Sequence, residues 1–138
     1  MDFNPEICSW NPRGLNDPAK RDAVRIFMES IHVDLVCLQE TKLAFVDRFT
    51  ILQCLGPSFD GFAYLPAIQT RGGIILAWNS AVLEVRNIVL DDYALTGEVY
   101  SSGNFVWWIT VVYGPQASAD KVQFLQQLTE RRSLCPGP

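Results

Sequence analysis

The chain has 138 residues, enough for a single domain with a sizeable core. Its composition is 49% apolar, 12% aromatic and 19% charged, which excludes a disordered chain. A net charge of −4 argues against a non-specific nucleic-acid coat, because phosphate binding needs clustered Lys and Arg. It leaves open an enzyme that meets phosphates through carboxylate-held metal.

No apolar run approaches the roughly 18 residues of a membrane span, so no membrane partner is expected. The acidic start Met1–Glu6 lacks the basic and long apolar regions of a signal peptide. Cys8, Cys37, Cys54 and Cys135 have no metal-ligand spacing. Cys8 and Cys37 fall inside apolar strand patterns and are expected to be reduced, buried small hydrophobes of an intracellular protein.

Glu6–Asn11 reads as a first strand with Ile7, Cys8 and Trp10 as its apolar members. The turn formers of Asn11–Pro18 make a loop. Asp17 followed by Pro18 then starts a helix, as cap and N1 proline. Over Asp17–Ile31 the residues Ala23, Val24, Phe27, Met28 and Ile31 share one helix face, leaving Lys20, Arg21, Asp22 and Arg25 as the wet side. His32, the sole histidine, is placed at the helix end, where the dipole explains it.

Asp34–Leu38 holds a continuous apolar run, the pattern of a strand buried on both faces. It stops abruptly in Gln39-Glu40-Thr41-Lys42. A carboxylate at the carboxyl end of a buried strand stands where open α/β sheets place ligands. Glu40 is therefore the first candidate functional residue, beside the alternative of a loose Glu40–Lys42 surface pair.

Phe45–Leu55 suggests a shorter helix with Phe45, Val46, Phe49, Leu52 and Leu55 on its face, closed by Gly56-Pro57. Beyond it the chain turns β-rich, with runs at Phe59–Leu65, Gly73–Trp78, Val82–Leu90, Tyr93–Tyr100 and Asn104–Tyr113. Ser101–Asn104 is a hairpin signal. Trp78, Trp107 and Trp108 are core or sheet-face residues. Asp120–Arg132 is a final helix with Val122, Leu125 and Leu128 on one face. The expected fold class is α/β, rich in strands, with helices packed on the sheet.

Ser9-Trp-Asn-Pro-Arg-Gly-Leu15, Leu38-Gln-Glu-Thr-Lys42, Arg71-Gly-Gly-Ile-Ile-Leu-Ala-Trp78 and Val112-Tyr-Gly-Pro115 occur in that order. The set resembles the endonuclease/exonuclease/phosphatase family of metal-dependent phosphodiesterases, and is most similar to endonuclease domains of plant LINE-type retrotransposons. The resemblance implies a four-layered α/β sandwich, here a partial one over residues 1–138, and a nuclear protein that acts on DNA.

It also implies roles. Glu40 would hold Mg²⁺, or Mn²⁺ in its place, with Asn11 beside it as ligand or hydrogen-bond partner. Tyr113 would bond the scissile phosphate, and Arg13 and Lys42 would meet the substrate backbone. A hard divalent cation suits this chemistry because it neutralises charge on phosphoryl oxygens. Asn11 is equally a turn residue before Pro12, Tyr113 a half-buried strand end, and Arg13 and Lys42 ordinary solvated charges. Pro12 departs from the family pattern and restricts Asn11 to extended conformations.

The family's Gly-Asp-Xaa-Asn and Asp-His motifs are absent from the 138 residues. A truncated domain is the expectation, of marginal stability and prone to self-association through an exposed sheet face. Three readings follow: a Mg²⁺-dependent endonuclease lacking catalytic parts, a non-catalytic remnant of a retrotransposon, or a binding module reusing the half-sandwich. A phosphatase of lipid or inositol phosphates is less favoured by the Asn-Pro-Arg-Gly-Leu and Tyr-Gly-Pro details.

Overall fold

Asp34, buried at the head of the central strand, ties three strands together. Its carboxylate accepts from Glu6 N at 2.9 Å, its amide donates to Glu6 O at 2.8 Å, and its carbonyl accepts from Asn79 N at 3.0 Å. The computed structural model describes residues 5–69, 71–101, 105–113 and 118–135, with backbone alone over 118–125. Its elements are β1 (Ile7–Trp10), α1 (Pro18–Glu29), β2 (Leu35–Gln39), α2 (Arg48–Leu55), β3 (Gly61–Leu65), β4 (Ile74–Trp78), β5 (Leu83–Leu90), β6 (Ala94–Ser101), β7 (Phe105–Val112) and α3 (Ser118–Leu134).

One sheet has the order β1-β2-β4-β3 and the other β5-β6-β7. β1 and β2 are parallel, with α1 as the crossover a parallel pair requires. All other pairs are antiparallel. This is the mixed, strand-rich α/β fold the sequence predicts. Among the described residues no helix is long and apolar enough to cross a membrane.

The apolar run of β2 is continuous because both its faces are covered. Val36 and Leu38 pack with Val24, Met28, Ile51, Cys54 and Leu55 under the helices. Leu35 and Cys37 face the second sheet with Leu76, Val85, Leu95, Val99 and Val111. Each fully buried Leu or Val contributes about 1.5–3 kcal/mol over an exposed one. Burial pushes the Cys37 thiol up to about 12, aided by the Cys8 charge, so Cys37 is inert. Cys8 is only half-buried, because β1 is an edge strand.

The helix ends follow their sequence signals. Asp17 caps α1 by accepting from Ala19 N at 2.9 Å, and Gly56 closes α2 at φ 91°. The helix faces do not. Val24 and Met28 are buried, but Phe27 and Ile31 are exposed. Arg21 and Arg25, read as the wet side, instead bridge the helices. Arg21 donates to Leu15 O at 2.6 Å and Gln53 Oε1 at 2.8 Å, and Arg25 to Gln53 O at 2.8 Å. The long arginine stems let a charged residue occupy the seam while its head reaches a carbonyl.

α2 begins at Arg48, capped by Asp47, rather than at Phe45. It buries Thr50, Ile51, Cys54 and Leu55 and leaves Phe45, Phe49 and Leu52 exposed. Later capping rotates the buried face. His32 lies two residues beyond the Ser30 C-cap of α1, with its Nε2 3.4 Å from the Asp34 carboxylate. The turn at 102–104, residues 114–115 and the Val122 and Leu125 side chains lie outside the described residues.

Candidate functional site

β1 and β2 run parallel with Trp10 beside Leu38, so their carboxyl ends open at one edge. Asn11 and Glu40 emerge there. β4 starts at the same edge, Ile74 opposite Gln39, which brings in Gly72 and Gly73.

The segment Glu40–Lys42 is laced on both sides. Gly14 N donates to Glu40 O and Leu15 N to Thr41 O, both at 2.8 Å. On the other side Thr41 N donates to Gly73 O at 3.1 Å and Lys42 N to Gly72 O at 2.8 Å. Asn16 Nδ2 adds a bond to Lys42 O at 2.9 Å.

This lacing holds strained backbone. Arg13, Glu40 and Lys42 sit at φ 57°, 52° and 59°, a left-handed conformation that costs non-glycine residues roughly 1–2 kcal/mol each. Three of the five sequence candidates therefore carry strain at one edge, and such strain gathers where a side chain must be aimed for function.

Tyr113 arrives from the second sheet. Its amide donates to Tyr93 O at 3.1 Å, and the two rings meet edge to face with centroids 5.5 Å apart. The phenol lies against Gly72, at φ 73°, where a Cβ would overlap it. Burial raises the Tyr113 pKa first, and the charges of Tyr93, Asp92 and Glu40 raise it further. The phenol thus stays protonated at neutral pH, able to donate.

The structure brings Asn11, Glu40, Lys42 and Tyr113 to one edge. Asn11 Oδ1 accepts from Arg13 N at 2.9 Å, a turn bond that leaves the oxygen a second lone pair. Lys42 is half-buried, its stem packed over Gly14 with Cδ 3.2 Å from the place a Cβ there would take. Arg13 is engaged through its backbone, its carbonyl accepting from Lys20 Nζ at 3.1 Å, and its side chain is exposed. His32, paired with Asp34 at the head of β2, is a full strand length from Glu40.

Sequence reasoning reads Asp91-Asp92 only as a break between two strands and misses its pairing with α3. Asp91 takes a two-pronged bond from Arg131, both distances 3.1 Å, and Asp92 accepts from Gln127 at 3.0 Å. α3 thereby fixes the turn whose Tyr93 carbonyl holds Tyr113. An Asp-Asp pair between two strands reads as a solvated turn, and its partners lie 35 and 40 residues away, so no local signal marks the pairing.

Among the described residues no group of three His, Cys, Asp or Glu side chains could hold a metal. Glu40 stands as a half-exposed carboxylate with no hydrogen bond or ion pair from a described side chain. With Asn11 Oδ1 it offers the hard oxygen donors Mg²⁺ takes, one or two protein ligands completed by water and substrate.

Two packed sheets with helices against one of them define an α/β sandwich. A family model described as Endonuclease/Exonuclease/phosphatase family matches residues 8–138, and the chain belongs to this family. Among solved structures it is similar to the AP endonuclease LMAP from Leishmania major, with 23% identity and a TM-score of 0.54 over 84% of this chain and 42% of that one. The human Nocturnin catalytic domain with bound sulfate anion shares 15% identity at TM-score 0.60, over 91% of this chain and 59% of that one. The Xenopus laevis APE2 catalytic domain shares 17% at 0.53, over 85% and 47%. These likenesses show the fold, and the chain spans about half the length of the structures it matches. No curated protein sequence matches it significantly.

Proposed function

We propose that Asn11, Glu40 and Tyr113 form the metal-binding side of a phosphodiester-hydrolysing site whose substrate is DNA. The observation that carries this is one edge, where β1 and β2 end side by side with Asn11 and Glu40 beyond them, and where Tyr113 rests on Gly72, whose carbonyl accepts from the Lys42 amide.

Glu40 and Asn11 would hold a Mg²⁺ or Mn²⁺ ion, which when bound neutralises charge on phosphoryl oxygens. Tyr113 donates to a phosphate oxygen and orients it. Gly72 leaves room for the Tyr113 ring, which rests on it. Lys42 and Arg13 draw the anionic strand toward the edge. The Asn-Pro-Arg-Gly-Leu and Tyr-Gly-Pro details favour DNA over lipid phosphates and support kinship with LINE-type retrotransposon endonucleases, hence nuclear residence.

The polypeptide of 138 residues holds neither a Gly-Asp-Xaa-Asn nor an Asp-His motif. Its one histidine stands at the far end of β2. We therefore read residues 1–138 by themselves as binding metal without completing hydrolysis.

The test is nicking of supercoiled plasmid in Mg²⁺ and in EDTA, beside Glu40→Ala, with Mn²⁺ binding measured in parallel. We expect Glu40-dependent Mn²⁺ binding and no nicking above the Glu40→Ala background. Nicking that needs both Mg²⁺ and Glu40 would show a complete site and overturn the incompleteness. Metal binding indifferent to Glu40 would overturn the assignment itself.

A further inference from the structure

The Tyr113 phenol is placed by its neighbours in the second sheet. Its amide donates to Tyr93 O at 3.1 Å, and its ring meets that of Tyr93 edge to face. Tyr93 belongs to the turn between β5 and β6, which Asp91 N closes by donating to Ala94 O at 2.9 Å. Both acids of this turn, Asp91 and Asp92, are taken by α3.

Gln127 and Arg131 stand four residues apart, so one face of α3 presents both. Arg131 grips Asp91 with two N–H groups, each 3.1 Å from a different carboxylate oxygen. A planar fork of this kind fixes orientation as well as distance. The two side chains are only 22% and 19% exposed, so water and salt weaken this pair less than a surface one. Gln127 donates to Asp92 at 3.0 Å. A turn pinned at its first two residues places the third, and the carbonyl of that third residue, Tyr93, places Tyr113. The chain thus closes on itself, because α3 follows Tyr113 and returns to the turn that holds it.

We propose that Arg131 is the positioning residue of the Tyr113 phenol, acting through Asp91 and the Tyr93 carbonyl, and that α3 thereby sets how the phenol meets a phosphate oxygen. The assignment rests on the reading of Tyr113 as the group that orients phosphate. The Arg131 guanidinium is engaged by Asp91, so it acts through the turn and not as a cation that draws in the DNA strand. The two roles differ in one respect. Loss of a phosphate contact weakens DNA binding whether or not Tyr113 keeps its hydroxyl, whereas loss of a positioning residue does so only while the hydroxyl is there.

The experiment compares the wild type with Arg131→Ala, Arg131→Lys, Tyr113→Phe and the double variant of Arg131→Ala with Tyr113→Phe. NMR of ring-labelled tyrosine reports the phenol with no ligand present, and the chain has four tyrosines, Tyr64, Tyr93, Tyr100 and Tyr113. In Arg131→Ala we expect the Tyr93 and Tyr113 ring signals to shift, those of Tyr64 and Tyr100 to stay, and the Tyr113 amide to exchange about tenfold faster. Arg131→Lys keeps the charge without the fork. It should shift the same signals by less, and it decides the matter if the alanine variant does not fold. Binding of a short duplex DNA in Mn²⁺ is the second readout. We expect it about tenfold weaker in Arg131→Ala and in Tyr113→Phe, the scale of one hydrogen bond to a charged group, and no weaker again in the double variant. Unmoved Tyr113 signals, a shift of all four tyrosines, or additive losses in the double variant would overturn the positioning role. Moved signals with DNA bound equally by the wild type and Tyr113→Phe would sustain the hold of Arg131 on Tyr113 and overturn the phosphate reading beneath it.

Discussion

The Tyr113 phenol lies on Gly72, and a methyl group at that glycine would occupy the place of the ring. Gly72 also sits at φ 73°, where a side chain is strained even with room. Gly72→Ala therefore meets two penalties, of which the backbone share alone is about 1–3 kcal/mol. Urea denaturation should show that loss. The aromatic NMR signals of Tyr113 and Tyr93 should shift together, because their rings are in edge-to-face contact. Unchanged signals would mean that the ring does not rest on the glycine.

Glu40 at φ 52° separates stability from function. Releasing a left-handed residue gains about 1–2 kcal/mol, against about 0.4–1 kcal/mol lost to the greater freedom of unfolded glycine. Glu40→Gly should thus stabilise the chain by about 0–1.6 kcal/mol and abolish Mn²⁺ binding. Glu40→Gln keeps the backbone cost, so it should lose metal at unchanged stability. Equal stability of Glu40→Gly and Glu40→Gln would show the backbone there to be unstrained.

The raised Tyr113 pKa sets a sign for alkaline stability. A group that binds its proton more tightly when folded contributes stability below its ordinary pKa and loses it as pH rises through the folded value. The ordinary tyrosine value is 10.0, so the loss begins above pH 10. Tyr100 is raised in the same direction by its bond to Glu98. The difference between the wild type and Tyr113→Phe isolates Tyr113, and the variant should show the flatter decline in thermal melts above pH 10.

Asp34 and His32 are paired, yet should respond unequally. The Asp34 side chain is 4% exposed and that of His32 is 82% exposed. Asp34→Ala removes the buried carboxylate that accepts from the Glu6 amide, a hydrogen bond to a charged group worth about 1.5–3 kcal/mol. His32→Ala removes an exposed pair worth about 0–1 kcal/mol. Chemical denaturation of both variants checks the ranking, and a larger loss for His32→Ala would contradict it.

Legibility in the sequence followed how local each cause is. The β2 run, the Asp17-Pro18 helix start and the Gly56 stop depend on neighbouring residues and were readable. So was the edge bearing Asn11 and Glu40, because a parallel βαβ unit puts both strand ends on one side. Arg21 and Arg25 were misread because their partners, Leu15 and Gln53, come from other elements and charge alone suggests solvent. The exposure of Phe49 and Leu52 depends on where Asp47 caps α2. The seat of Tyr113 on Gly72 joins two sheets, and the Arg131 clamp on Asp91 joins a helix to a turn forty residues earlier. Periodicity carries no trace of such pairings.

The most direct test of the proposed site is Mn²⁺ paramagnetic broadening of the amide NMR spectrum, run on the wild type and on Glu40→Gln. The account expects broadening steepest at Asn11, Glu40, Thr41, Gly72 and Tyr113, and its loss in Glu40→Gln. Broadening centred on Asp91 and Asp92 or on Glu84 and Glu98, or a pattern unchanged in Glu40→Gln, would contradict it.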